Sequence, residues 1–202
     1  MTKQSLDSGH SGQIHLNAEM RHSAAKSLRE RIPRSAHGKW RPASKGRDVI
    51  GMLEQSNVGR VPELVSIRYG RMLQSPFAFL RGAASIMAYD LSGTAASGIR
   101  TQVGGDCHLM NFGEFGTPER NLVFDINDFD ETLPGPWEWD IKRLVASVMV
   151  AGRHRHFPDG DNKKAVLAAV RSYREKMAAF ATMSPMQCWY SHINADDLAS
   201  LS

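Results

Sequence analysis

Asp106 and Asn111 lie five positions apart in Gly105-Asp106-Cys107-His108-Leu109-Met110-Asn111, and a second polar cluster, Asn127-Asp128-Phe129-Asp130-Glu131, follows in the same chain. On one loop, that spacing lets an aspartate face an incoming hydroxyl while an amide oxygen faces a metal. Asp128, from the second cluster, can then hold the same cation. Mg²⁺ takes hard oxygen ligands, usually one or two protein groups together with phosphates. Phosphoryl transfer asks the protein mainly to position groups and neutralise charge, so one base-like carboxylate and two metal ligands form a minimal set. Either loop taken separately also reads as an ordinary turn, because turns use Asp and Asn routinely.

The flanking sequence is suited to bringing both loops to one place. Ile99-Arg100-Thr101-Gln102-Val103 alternates like a short strand that ends at Gly104-Gly105-Asp106, and Asn121 to Ile126 reads as a second strand delivering Asn127 to Glu131. Gly116-Thr117-Pro118 is a plausible turn before it, and Pro134-Gly135-Pro136 forces another after it. Helical periodicity follows over Trp137 to Val150, with Ile141, Leu144, Val145 and Val148 on one face, and again from about Asn162 to Thr182. Upstream, helices are expected to open near Val49 and at Val61-Pro62, where proline suits the first turn. A further helix is expected over the alanine-rich run Ala83 to Leu91. The fold class expected is α+β, mostly helical, with a small sheet or hairpin carrying the acidic loops.

Hydrophobic residues at 42% and charged residues at 23% of 202 describe an ordinary globular chain. Its formal charge is +4, and the basic excess gathers near the N-terminus, from Arg21 to Arg47. Residues 1–46 are read as a flexible basic arm with a short helix around Ala18 to Arg31, and residues 47–202 as the ordered domain. Only Trp40 interleaves with the arm's charges, so a base-stacking nucleic-acid surface is not indicated. Cys107 and Cys188 are far apart and match no zinc or redox spacing. Together with a polar start lacking a secretory h-region, this points to the cytoplasm; the apolar run Leu144 to Ala151 is too short to cross a bilayer.

The loop Gly105 to Asn111 resembles the G-D-x-H-x-x-N catalytic loop of aminoglycoside phosphotransferases and choline-kinase-like enzymes. Asp128-Phe129-Asp130 resembles their metal-binding segment, and Trp139-Asp140-Ile141-Lys142-Arg143-Leu144 the helix start that follows it. More closely, Arg60 to Arg153 is similar to the bacterial DUF2252 family, through Ile67-Arg68-Tyr69-Gly70-Arg71-Met72, Phe79-Leu80-Arg81-Gly82 and Phe124 to Thr132. The resemblance implies the catalytic lobe of a kinase-like fold, with Mg²⁺ and ATP as cofactors and a small-molecule hydroxyl acceptor. It implies Asp106 as the catalytic aspartate, Asn111 and Asp128 as magnesium ligands, and Asp140 as a brace for the loop. His108 fits the loop pattern as a residue that fixes its geometry in the cofactor site. Asp125 and Asp130 rival Asp128, since an extended strand points Asp128 and Asp130 to one side and Asp125 to the other.

Arg68, Arg71 and Arg81 sit among aromatics and methionines, where each suits either forked phosphate binding or bracing of an acidic loop. Arg81 is taken as the cofactor-binding arginine. Trp137 and Trp139 read as core anchors. Two features depart from the kinase pattern: Gly104 stands where a loop-bracing histidine is common, and no glycine-rich lid with a phosphate-gripping lysine precedes Asp106. The chain is therefore expected to be a truncated family member. Two rival functions stand beside phosphotransfer: a non-catalytic pseudoenzyme or binding module, and metal-assisted hydrolysis by Asp106, His108, Asp125 and Asp128. Nothing in the residues fixes an oligomeric state.

Overall fold

The structure is a computed structural model that describes residues 18–40 and 46–194. Part of the expected N-terminal arm therefore lies outside the described residues. Within them, the helix expected there is present as α1 (Ala18–Arg31), followed by a short 3-10 turn over Arg34–Gly38.

The remaining helices begin where local chemistry satisfies their first amides. α2 (Val49–Gln55) is capped by Asp48, whose side chain accepts from the Gly51 amide at 2.9 Å. α3 (Pro62–Met72) starts on a proline that lacks the amide hydrogen its position would leave unpaired. α4 (Pro76–Arg81) combines a proline at its first turn with the Ser75 cap, which accepts from the Ala78 amide. α5 (Ala84–Ser92) then leads toward the sheets. Leu53, Met72, Ala83 and Ile86 form a buried apolar cluster joining α2, α3 and α5, with Val49, Met52 and Tyr69 packed against it.

The strands form two small antiparallel sheets. β1 (Arg100–Val103) pairs with β4 (Leu133–Pro136), placing Val103 opposite Leu133. β2 (Phe112–Gly116) pairs with β3 (Leu122–Ile126), and β3 also pairs with the short β5 (Ile193–Asn194). Helices α6 (Glu138–His154) and α7 (Asp159–Phe180) form a long hairpin, and α8 (Pro185–Trp189) opens with a Ser184–Gln187 capping box. The chain is thus α+β, with eight α-helices among the described residues.

Pro134-Gly135-Pro136, expected as a turn, is extended and forms most of β4. A two-stranded sheet tolerates prolines on an edge, where a missing amide hydrogen need not face a partner. Gly135 fits because a β-carbon there would press on the Val103 side chain, which is 1% exposed. No helix among the described residues is long and apolar enough to cross a membrane.

Candidate functional site

The most buried face of α6 is polar. Its buried positions are Glu138, Arg143, Ser147 and Gly152, whereas Ile141, Leu144, Val145 and Val148 are only half-buried. Asp140, Arg143 and Ser147 recur at i, i+3 and i+7 and so share one side of the helix. That side grips the loop between β1 and β2. The Asp140 carboxylate accepts from the amides of Gly104 at 2.8 Å and Gly105 at 3.1 Å. Ser147 Oγ accepts from the Leu109 amide at 2.9 Å and donates to the Leu144 carbonyl at 2.6 Å. The bracing role expected of Asp140 thus takes a definite form, two amide bonds to the start of the loop.

Arg143 completes this grip. It is 2% exposed, its Nε donates to Asp106 Oδ1 at 2.6 Å, and its Nη2 pairs with the same oxygen. Nη2 also donates to the Leu80 carbonyl at 2.8 Å, tying α6 to α4 through the acidic loop. One oxygen of Asp106 is therefore held by the guanidinium. The other, Oδ2, lies 3.7 Å from His108 Nε2.

His108 Nδ1 accepts from the Met110 amide at 3.1 Å, which places the ring proton on Nε2, toward Asp106. Burial, reinforced by the nearby Arg143 and Arg81 charges, lowers the imidazole to about 4, so the ring is neutral at pH 7. Burial acts in the opposite sense on Asp106, raising it to about 6 even though Arg143 favours its ionised form; Glu131 and Asp128 raise it further. A carboxyl tuned toward neutrality suits a group that accepts a hydroxyl proton. Cys107 is buried and pushed up to about 12, mainly by loss of solvent, which removes it as a thiolate nucleophile.

The loop's other end is fixed by Asn111. Its Nδ2 donates to the Asp106 carbonyl at 2.7 Å, leaving Oδ1 as the acceptor end of the amide. The Asn111 carbonyl in turn accepts from the Asn127 amide at 2.8 Å, which joins the first acidic loop to the second. Gly105 lies against the second loop as well. Its φ of +79° favours glycine, and a β-carbon would run into the Glu131 carbonyl. Thr132 Oγ1 donates to the Val103 carbonyl and accepts from Gln102 Nε2, closing the seam between them.

All five residues singled out in the sequence, Arg81, Asp106, His108, Asn111 and Asp128, line a single cavity of about 980 Å³. Asp125 and Asp130 do not line it. The expectation that Asp128 and Asp130 share a strand side is corrected, because β3 ends at Ile126 and residues 127–131 are not strand. Asp130 instead donates its amide to Asp128 Oδ1 at 3.1 Å, while Asp125 Oδ1 accepts from the Ile126 amide. Among the described residues no three His, Cys, Asp or Glu side chains converge as a metal site. The hydrolytic arrangement required such a convergence. A site with two protein ligands, one of them an asparagine amide, makes no such demand.

More of the lining comes from α3, α4 and the residues before α3, including Arg60, Arg68, Arg71 and Arg81. Arg68 is a brace: Nη1 donates to Asn57 Oδ1 and Nη2 to the Gly82 carbonyl, both at 2.8 Å. Arg60 donates Nε to the Ser56 carbonyl. The side chains of Arg71 and Arg81 make neither a hydrogen bond nor an ion pair among the described residues. The guanidinium that supports the acidic loop is Arg143, to which sequence reasoning gave no role. Its signal was the Asp140, Arg143, Ser147 spacing, a polar stripe beside the apolar one.

Trp137 stacks on Tyr173 at 5.8 Å and donates Nε1 to Ser97 Oγ, the anchoring position expected of it.

Residues 60–202 match the model of a family described as an uncharacterized protein conserved in bacteria, DUF2252. No curated protein and no solved structure matches the chain. The matched span holds every residue that lines the cavity except Gly59, and the α6 residues that grip the acidic loop.

Proposed function

The chain belongs to the DUF2252 family, and from its site we propose Mg²⁺-dependent transfer of a phosphoryl group from ATP to a small hydroxyl acceptor. What carries this reading is one cavity of about 980 Å³ lined by Asp106, Asn111 and Asp128 together with four arginines. That volume falls within the range usual for small-molecule and cofactor sites. The donor set fits magnesium, since an amide oxygen and a carboxylate are hard ligands and two protein ligands suffice when phosphates supply others. Bound there, Mg²⁺ would neutralise charge on the phosphates.

Asn111 and Asp128 would hold the metal, and the Nδ2 bond to the Asp106 carbonyl orients the Asn111 amide for that task. Asp106 would orient the acceptor hydroxyl and take its proton through Oδ2, because Oδ1 is engaged by Arg143. His108, neutral at pH 7, holds the loop and leaves the negative charge of Asp106 undiminished. Arg81 would balance charge developing on the transferred group.

The test follows ATP turnover by phosphorus NMR, with and without Mg²⁺, for the native chain and the Asp106→Ala and Asp128→Ala variants. The expected outcome is Mg²⁺-dependent turnover that falls about 10²–10⁴-fold in Asp106→Ala. Equal turnover in all three proteins would sink the proposal.

A second reading, a non-catalytic binding module, draws support from the Asp106–Arg143 pair, which makes the aspartate a brace as well as a base candidate. Under that reading Asp106→Asn lowers stability, and native protein and variant both lack turnover.

A further inference from the structure

Resting on the phosphotransfer reading, we infer that Arg71 and Arg81 form the clamp for the donor's phosphate chain, in place of the glycine-rich lid and lysine absent before Asp106. Both line the cavity, both are exposed, and neither guanidinium has an anionic or hydrogen-bonding partner among the described residues. The neighbouring arginines show what the fold itself requires. Arg143 and Arg68 are tied by several bonds each and serve packing, so the untied pair is left for a ligand.

Their placement is set by those braces. Arg68 and Arg71 are one turn apart on α3. The Arg68 bond to the Gly82 carbonyl fixes the end of α4 immediately after Arg81. Arg71 and Arg81 are thereby held in the lining of the cavity that Asp106, Asn111 and Asp128 also line. Clustered guanidiniums repel one another, and a polyanion between them removes that repulsion while filling their forked donors. Such a clamp reads phosphates rather than a base, so the ligand class is a triphosphate chain, whether carried by a nucleoside or free.

The experiment is calorimetric titration, in the presence of Mg²⁺, with ATP, inorganic tripolyphosphate and adenosine. ATP and tripolyphosphate are expected to bind within about tenfold of each other, since charge-assisted bonds to the phosphates dominate, and adenosine is expected not to bind. Arg71→Ala and Arg81→Ala should each weaken tripolyphosphate binding about tenfold or more, with Arg81→Lys recovering only part, because an ammonium lacks the fork. Unchanged thermal midpoints in these variants would tie the loss to the ligand. Adenosine binding as tightly as ATP, or tripolyphosphate affinity unmoved in both alanine variants, would overturn the clamp. The two proposals fail separately. Asp106-dependent turnover whose KM for ATP is unchanged in both arginine variants, with any loss in Arg81→Ala confined to kcat, keeps phosphotransfer and removes the clamp. Tripolyphosphate binding lost in both variants, beside turnover indifferent to Asp106, keeps the clamp and removes phosphotransfer.

Discussion

On one wall of the cavity Asp106 is 8% exposed, with one oxygen held by Arg143 and its loop pinned at both ends by Asp140 and Asn111. In the basic part of the same lining, the Arg71 and Arg81 side chains are exposed and have no partner among the described residues. The acidic wall is preorganised and part of the folded core; the basic wall is held at its backbone and free at its tips. Reacting groups benefit from fixed geometry, whereas a gripping group must admit and release its ligand. The same side chain type thus serves opposite ends here: Arg143 is structure and Arg71 is surface.

Stability measurements offer the strongest way to break this contrast. Arg143→Ala strands a buried carboxylate and should cost about 3–5 kcal/mol in urea unfolding. Replacing both partners, as Asp106→Leu with Arg143→Met, should recover much of that loss. Arg71→Ala and Arg81→Ala should change it by no more than about 0.5 kcal/mol. A comparable loss on both walls would erase the distinction.

Gly105→Ala should come next, at about 1–3 kcal/mol from the positive φ alone, with the Glu131 contact adding to it. Ser147→Ala should follow at about 0.5–1.5 kcal/mol, because it removes the part-buried hydrogen bond from the Leu109 amide; both are read from unfolding midpoints.

The smallest effect expected is on titration. The Asp106 carboxyl, followed by its carbon chemical shift, should titrate near pH 6 and move higher in Arg143→Met, which removes the main influence favouring ionisation. Arg71→Ala should leave it in place. The sign carries into stability. Asp106 binds its proton more tightly folded than unfolded, so its contribution rises as pH falls from about 6 toward the ordinary carboxyl value of 3.8. His108 binds more weakly folded, and its contribution falls as pH drops from 6.5 toward about 4. The two oppose each other over nearly the same window. His108→Asn should therefore make the protein gain more stability on acidification, relative to the native chain.

The sequence made the acidic wall readable because its residues are close in the chain and their types are those that phosphoryl chemistry uses. Asp106, Asn111 and Asp128 line one cavity. The helices were readable from periodicity and proline position. Arg143 and Ser147 were hidden because the apolar residues of α6 dominate its pattern, and a polar stripe looks like a solvated face until something packs on it. β4 was hidden by Pro134-Gly135-Pro136, whose turn propensity yields to pairing with β1. The separation of Arg68 from Arg71 and Arg81 depended on partners distant in the chain, Asn57 and Gly82, which no local spacing reveals.

The Arg143 side chain reaches the Leu80 carbonyl and the Asp106 carboxylate, residues sixty-three and thirty-seven positions away. Loops of that length must close before those bonds form, so the acidic wall is expected to assemble late in folding, after the local helices. The amides of Gly104, Gly105 and Leu109, which donate to Asp140 and Ser147, should then exchange with solvent deuterium only when α6 separates from the loop. Their exchange rates make the candidate site its own gauge of whether the chain is folded.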